Sequence, residues 1–154
     1  MTQQERLIRC TKEYLTSRGW PIDPVDDEEN VFELNMRIRS ELKTCQAFII
    51  VSDQEILAMA VAPYMVEKSF TADVVEFITR ANLGLKIGKF EFDYDEGEVR
   101  YQSSLPCSEG VPAMADVARV IELPIMMLER YGDALFRNMT GQGDPAADIA
   151  GIDD

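Results

Sequence analysis

Three carboxylates in one short stretch are the side chains of this sequence best spaced for chemistry. Glu91, Asp93 and Asp95 stand at alternate positions, and alternate side chains of a β-strand point to the same face. Two carboxylates on one face can act as general acid and base when burial raises the pKa of one of them. Nothing in the surrounding sequence indicates burial, so we interpret the three carboxylates as a solvated strand face.

Other catalytic groups are scarce. The chain has no histidine, which removes Ser-His-Asp and Cys-His mechanisms and histidine metal sites. Cys10, Cys45 and Cys107 are widely separated and form no CxxC pair, which argues against redox motifs and zinc clips. We expect Cys10 and Cys45 in the core and Cys107 in a loop. The sequence therefore predicts no catalytic residue, no cofactor and no metal site.

Two stretches superficially suggest ligand-binding loops. The stretch from Gly84 to Phe90 superficially resembles a phosphate-binding loop, but three residues separate its glycines where that loop has four, and Phe90 stands where a hydroxyl is needed. The predicted order there is helix then strand, whereas a phosphate cradle runs from strand to helix. The polar segment Ile22–Asn30 is rich in Asp and Glu but lacks the glycine and the spacing of a calcium loop. We interpret the first stretch as the start of a strand and the second as a solvated acidic loop.

The formal net charge of −13 is the dominant bulk property. It repels phosphate backbones and anionic lipid headgroups, so we expect neither nucleic acid nor membrane as a partner. The same charge supports solubility and would steer a basic protein partner. No apolar run is long enough for a membrane span, and no secretory signal pattern is present. With cysteines expected to be reduced, these features predict a cytoplasmic protein.

Hydrophobic periodicity predicts helices and strands in one domain over residues 1–140. The first helix begins with a Thr2–Glu5 capping box and ends at Gly19, and strands follow over Phe32–Ile38, Cys45–Val51 and Glu55–Met65. A second helix then begins with Thr71 as its N-cap, followed by a hairpin over Ile87–Leu105 and a helical pattern over Pro112–Met139. Pro124 inside the last pattern predicts a kink or two helices. Residues 141–154, rich in glycine and aspartate, predict a flexible acidic tail.

The order of these elements predicts the fold class. Consecutive strands joined by short turns pair antiparallel, and helices must then cover one face of the sheet. We expect an α+β fold in which helices pack on an antiparallel sheet of about five strands, in the order α-β-β-β-α-β-β-α.

The last helix carries the sharpest binding hypothesis. Ile125, Met126 and Met127 form an apolar run too wide for one buried stripe, and methionine surfaces suit recognition of apolar segments. The alternative is that these side chains fill the core. Trp20, the single tryptophan, follows the first helix and is interpreted as sealing the helix end against the sheet, with a partner-facing role as the alternative. These four residues are the candidate partner-binding site.

The hairpin and the helix before it resemble the YbjN family of bacterial proteins. The residues that carry the resemblance are Val75, Glu76, Phe77, Ile78, Arg80, Asn82, Gly84, Gly88, Phe90, Glu91, Tyr94, Gly97, Val99, Arg100 and Tyr101. The resemblance extends over Val74–Leu105 and, as an order of elements, over residues 1–140. It implies a cytoplasmic, usually dimeric protein with a fold similar to type III secretion chaperones, sometimes described as a sensory-transduction regulator.

Three functional hypotheses follow from the sequence and the resemblance. The first is a non-enzymatic, chaperone-like homodimer that holds a partner polypeptide. The second is a regulatory, sensory-transduction-type domain that acts through protein contacts without holding a client. The third is an enzyme that uses the carboxylates or Cys107.

Overall fold

The chain forms an antiparallel sheet with helices packed against it. The computed structural model describes residues 1–22, 24–25 and 28–153, so Asp23, Asp26 and Asp27 of the predicted acidic loop lie outside the described residues. The helices are α1 (Gln3–Ser17), α2 (Thr71–Asn82), α3 (Met114–Met139) and α4 (Pro145–Asp153), and a short 3-10 helix lies at Lys68–Phe70. The strands are β1 (Pro24–Val25), β2 (Glu28–Arg37), β3 (Thr44–Val51), β4 (Glu55–Val61), β5 (Lys89–Asp93) and β6 (Glu98–Pro106).

The sheet confirms the predicted α+β class. Its strand order is β1-β2-β3-β4-β6-β5, and each neighbouring pair is antiparallel. The long strands β2 to β6 are the five that the sequence predicts, and the two-residue β1 extends one edge. β2 begins at Glu28, so the acidic stretch predicted as loop up to Asn30 is in part strand, and β4 ends at Val61 rather than Met65.

One face of the sheet carries the hydrophobic core. Alternate side chains of the strands are buried there, among them Phe32, Ile49, Ile56 and Tyr101. α3 crosses this face against β3, β4 and β6, while α1 packs on α3 and α2 packs on β5 and α3. The period of two in the strands thus separates a core side from an opposite side.

The two predicted helix starts have different outcomes. The Thr2 hydroxyl accepts a hydrogen bond from the Glu5 amide at 3.1 Å, and the Glu5 carboxylate accepts one from the Thr2 amide at 2.8 Å, which confirms the capping box. The prediction of Thr71 as an N-cap is wrong. The 3-10 helix at Lys68–Phe70 runs directly into α2, so Thr71 is already helical and Phe70 occupies the cap position without a side-chain bond.

α3 is continuous through Pro124, which contradicts the two-helix alternative.

The C-terminal residues form the helix α4, whereas the sequence predicts a flexible tail over residues 141–154. α4 packs on α2 and α3, and Ile149 is only 7% exposed. The Asp148 carboxylate accepts hydrogen bonds from Arg137 and Asn138, both at 3.0 Å.

The glycines that suggested disorder have a packing role. A Cβ on Gly141 would collide with the ring of Phe70, and one on Gly143 would lie 2.6 Å from the Asn138 side chain. The absence of a side chain therefore allows Gly141 to approach Phe70 at the start of α2, and Gly143 to approach Asn138 of α3, before α4 begins.

Candidate functional site

The face of the sheet opposite the core, which we call the open face, carries an apolar patch. The open-face patch consists of Val31, Phe48, Ile50, Leu57 and Met59. Each side chain is partly exposed, and none of them packs against the core cluster. The described helices pack on the other side of the sheet. The patch is therefore partly exposed apolar surface on the inner strands of the sheet.

The register of the strands makes this patch contiguous. Ile50 in β3 pairs with Val31 in β2 and with Leu57 in β4, which forms one row across three strands. Phe48 pairs with Met59 and forms a second row on the same face. Directly paired side chains have Cβ atoms about 5 Å apart, so the five side chains form one surface.

A shallow depression continues the patch toward one end of the sheet. Its volume is about 560 Å³, and its lining includes Gln46, Val61, Met65 and Glu98. Met65 is 57% exposed and adds another large apolar side chain at its border. The open face thus combines a flat apolar area with a concavity beside it.

Charged side chains surround the open-face patch. By register, the carboxylates at open-face positions are Glu33, Glu55, Glu91, Asp93 and Glu98, and the cations are Arg37, Lys89 and Arg100. Arg100 lies 3.1 Å from Glu91 and 3.7 Å from Glu98, and Lys89 lies 3.8 Å from Glu91. Two of the cations are therefore already paired with carboxylates of the same face.

The remaining carboxylates keep the border negative and do not form an acid–base pair. Glu33, Glu55 and Asp93 make no ion pair among the described residues. Asp93 accepts hydrogen bonds from the amides of Asp95 and Glu96, at 2.9 and 3.2 Å, and so caps the hairpin turn. Asp95 lies beyond the end of β5. Asp93 therefore has a structural role in the turn, as expected of a solvated hairpin.

Trp20, Ile125 and Met126 lie together in the structure. They line a groove of about 250 Å³ between the end of α1, β2 and α3, which we call the α1–α3 groove. The Trp20 ring packs edge-on against Tyr14 with centroids 5.9 Å apart, and the Arg18 guanidinium lies 4.8 Å from its centroid. Trp20 thus packs at the end of α1, as the sequence interpretation has it.

Met127 lies apart from these three residues. It lines a different cleft, together with Leu83, Ile87 and Tyr131, because successive residues of a helix point about 100° apart. Ile125 is buried, whereas Met126 is 58% exposed. The partner-binding role of all four residues stays a prediction.

Sequence reasoning missed the open-face patch. The available signal was the run Cys45–Val51, in which Phe48 and Ile50 are apolar although they alternate with core residues. An apolar run of this kind is typical of a central strand. β3 is indeed central in the sheet, but helices cover only one of its faces.

The perturbed titratable groups do not form a reactive centre. Burial raises the pKa of the Cys45 thiol to about 11 and that of the Tyr101 phenol to about 12. Burial also raises the pKa of Cys10 and of Tyr14, with further contributions from the nearby carboxylates. A raised thiol pKa lowers the thiolate fraction at neutral pH and makes a cysteine less nucleophilic.

The described part of the chain contains neither a metal-binding cluster nor a membrane-spanning helix. Within residues 1–22, 24–25 and 28–153, no cluster of three or more His, Cys, Asp or Glu side chains is arranged to hold a metal ion. In the same ranges, no helix has the length and apolarity needed to cross a membrane.

Comparisons with known proteins agree on the fold. The YbjN family model, described as "Putative bacterial sensory transduction regulator", matches residues 12–137. The crystal structure of YbjN from E. coli, described as "a putative transcription regulator", is similar with a TM-score of 0.57 and 18% sequence identity, over 87% of this chain and 93% of that chain. At this identity the likeness shows the fold alone. No curated protein matches the sequence.

Proposed function

The chain belongs to the YbjN family, and from this premise we propose that it is a non-catalytic regulatory module that binds a partner polypeptide on the open face of its sheet. The observation that carries the proposal is the open-face patch, five apolar side chains in register on a face that no described helix covers. The family description as a sensory-transduction regulator supports a regulatory role.

The apolar character of this face favours binding. Antiparallel sheets with one solvated face usually carry polar residues on that face. Contiguous apolar surface on a rigid element marks sites of interaction. Covering such surface stabilises a complex by roughly 25 cal/mol per Å² of apolar area removed from water. Covering the open-face patch would therefore contribute to the affinity for a partner.

Charge selects the kind of partner. Glu33 and Glu55 border the open-face patch, and the whole chain has a net charge of −13. A second copy of this chain would bring the same acidic border against itself. The occupant that fits is a polypeptide with apolar residues flanked by Lys or Arg, because opposite charges accelerate and orient association.

The chaperone-like function and the homodimeric assembly, which the resemblance implies, remain predictions. A chaperone-like protein would use the same face, with an extended client segment in place of a folded surface. A homodimer would use this face or another one. The position of the partner on the open face is common to the regulatory and the chaperone-like hypotheses.

A defined probe tests the proposal. A dye-labelled peptide of alternating Leu and Lys is titrated in fluorescence anisotropy, beside a peptide of alternating Leu and Glu. The Leu/Lys peptide should bind at least about tenfold more tightly, and Phe48→Thr/Leu57→Thr should weaken it at least about tenfold, since about 1.4 kcal/mol is tenfold in Kd. Threonine has a high propensity for β-strands, so the double variant should retain the folded sheet.

Met126→Gln is the matched control, because Met126 is exposed on α3 and away from the open face. It should leave peptide binding unchanged. Loss of binding at Met126→Gln but not at Phe48→Thr/Leu57→Thr would move the site to the α1–α3 groove. A wild-type dimer that becomes monomeric in the open-face variant, measured by light scattering, would show that a second copy covers the patch.

A further inference from the structure

A cleft between α3 and the loop that joins α2 to β5 is unlike the rest of the surface. We call it the α2–β5 cleft; its volume is about 550 Å³. Buried side chains close its floor, including Ala81 of α2, Tyr101 of β6 and Tyr131 of α3. A volume of this size lies in the range of small-molecule sites.

α3 supplies one wall of the α2–β5 cleft as a single row of side chains. Arg119, Leu123, Met127 and Arg130 all line it. Their spacing of four, four and three residues places them on one face of the helix. At 1.5 Å per residue, the two arginines are separated by roughly 16 Å along the axis. The wall is therefore an apolar track with a cation at each end.

The charges of the α2–β5 cleft are all positive. Lys86 on the opposite wall joins Arg119 and Arg130, and no Asp or Glu is among its lining residues. This is a local reversal in a chain with a net charge of −13. Arg119 approaches Asp116 only to 3.9 Å, and Arg130 donates a 3.5 Å hydrogen bond to the carbonyl of Ile152. Both contacts are exposed and leave further guanidinium donors for a ligand.

The loop that forms the opposite wall is held in place. The Tyr101 hydroxyl donates a 2.6 Å hydrogen bond to the carbonyl of Ile87. The Asn82 side chain accepts from the Phe90 amide at 2.7 Å and donates to the Phe90 carbonyl at 2.9 Å. Even so, Leu83 is 87% exposed. The loop thus presents an apolar side chain to solvent at the rim of the cleft, from an anchored backbone.

We propose that the α2–β5 cleft binds a free long-chain carboxylate. The alkyl chain would lie along Leu123 and Met127, and the carboxylate would pair with an arginine at one end of the track. The row from Arg119 to Arg130 is roughly 16 Å long, with Leu123 and Met127 between the arginines, whose own stems are apolar. Its length and single-row width match one extended alkyl chain, whereas a peptide presents side chains in several directions and needs a wider surface. This site is separate from the open face and does not depend on the proposed function.

Fluorescent-ligand displacement tests the proposal. The probe is 11-(dansylamino)undecanoic acid, displaced by dodecanoate below its micellar concentration, with dodecyltrimethylammonium as the same chain bearing the opposite charge. Dodecanoate should displace the probe and the cationic amphiphile should not. Met127→Glu puts a negative charge into the apolar track, and Arg119→Gln/Arg130→Gln removes the terminal cations. Met127→Glu should weaken dodecanoate binding at least about tenfold because the new carboxylate interrupts the apolar row and repels the ligand. Arg119→Gln/Arg130→Gln should do the same because it removes the charge-assisted hydrogen bonds to the ligand carboxylate.

Met126→Glu is the control, since it adds the same charge one residue away on a different face of α3. It should bind dodecanoate like the wild type. Equal weakening by Met126→Glu and Met127→Glu, or equal displacement by both amphiphiles, would overturn the proposal. Displacement of the probe by the Leu/Glu peptide and not by dodecanoate would overturn it in favour of an acidic peptide. Binding of the Leu/Lys peptide should be unchanged in Met127→Glu, so this proposal and the proposed function fail separately.

Discussion

The hydroxyl of Ser103 in β6 donates a 2.7 Å hydrogen bond to the carbonyl oxygen of Val120 in α3. Val120 precedes Pro124 by four residues, and proline has no N–H to donate to that carbonyl. Ser103 is buried, so the sheet supplies the donor that the helix lacks. This contact explains how α3 continues through Pro124 and keeps Arg119 and Arg130 on one helix.

Ser103→Ala should therefore destabilise the protein. It leaves a buried carbonyl without its donor, which costs about 1–3 kcal/mol of unfolding free energy. In a Pro124→Ala background the restored backbone amide can bond Val120, so the same substitution should cost clearly less. Urea unfolding of the wild type, both single variants and the double variant measures this coupling. Equal losses in the two backgrounds would show that Ser103 does not compensate for the proline.

Two glycines in the α2–β5 loop offer a matched pair of substitutions. Gly84 and Gly88 both have positive φ, +89° and +74°, so alanine costs roughly 1–2 kcal/mol at either position. A Cβ on Gly88 would also collide with the Gln102 carbonyl and the Tyr101 ring, whereas one on Gly84 meets nothing within 4 Å. Gly88→Ala should lose more stability in urea unfolding than Gly84→Ala. Equal losses would mean that the loop does not pack on Tyr101 as described.

The attachment of α4 depends on Asp148. Its carboxylate accepts from Arg137 and Asn138, each at 3.0 Å, and from the Asp144 amide at 3.1 Å. Asp148→Asn should speed amide exchange in α4 about tenfold while global stability changes by about 1 kcal/mol or less, because helix ends open locally. Asp116→Asn, far along α3, is the control and should leave α4 exchange unchanged. Unprotected α4 amides in the wild type would instead support the flexible tail expected from the sequence.

The buried Cys45 thiol and Tyr101 phenol should lower the free energy of unfolding at alkaline pH. Burial raises the pKa of Cys45 from 9.0 to about 11, and the charge of Glu129 makes a smaller contribution. Burial raises the pKa of Tyr101 from 10.0 to about 12, and the neighbouring Tyr131 makes a smaller contribution. Because the unfolded chain ionises first, their contribution is complete below pH 9 and is lost as pH rises through the folded pKa values. Cys45→Ala should make the fall of unfolding free energy between pH 9 and 11 shallower. An identical slope in both proteins would contradict this assignment.

The fold was more predictable than the surface. Alternation in Phe32–Ile38 and in the hairpin, and the capping box at Thr2, depend on local sequence and were correct. α4 was missed because it packs on α2, which is distant in sequence, and is held by the bonds of Asp148 to Arg137 and Asn138, while the glycines before it look like disorder. Helix propensity depends on the local sequence and does not include such tertiary contacts.

The candidate surfaces show the same limit. Met126 and Met127 are neighbours in sequence, but the helix directs them into different grooves. The open-face patch joins side chains from β2, β3 and β4, and only the register of the sheet brings them together. Apolar residues on both faces are typical of a strand covered on both sides, whereas the helices cover only one face of β3.

Methyl NMR during titration with the Leu/Lys peptide locates the bound partner, because the open face and the α1–α3 groove both carry methyl groups. The methyl signals of the open-face patch, at Val31, Ile50, Leu57 and Met59, should shift or broaden with peptide concentration while those of Ile125 and Met126 stay constant. Shifts confined to Ile125 and Met126, with a silent open face, would contradict the proposed function.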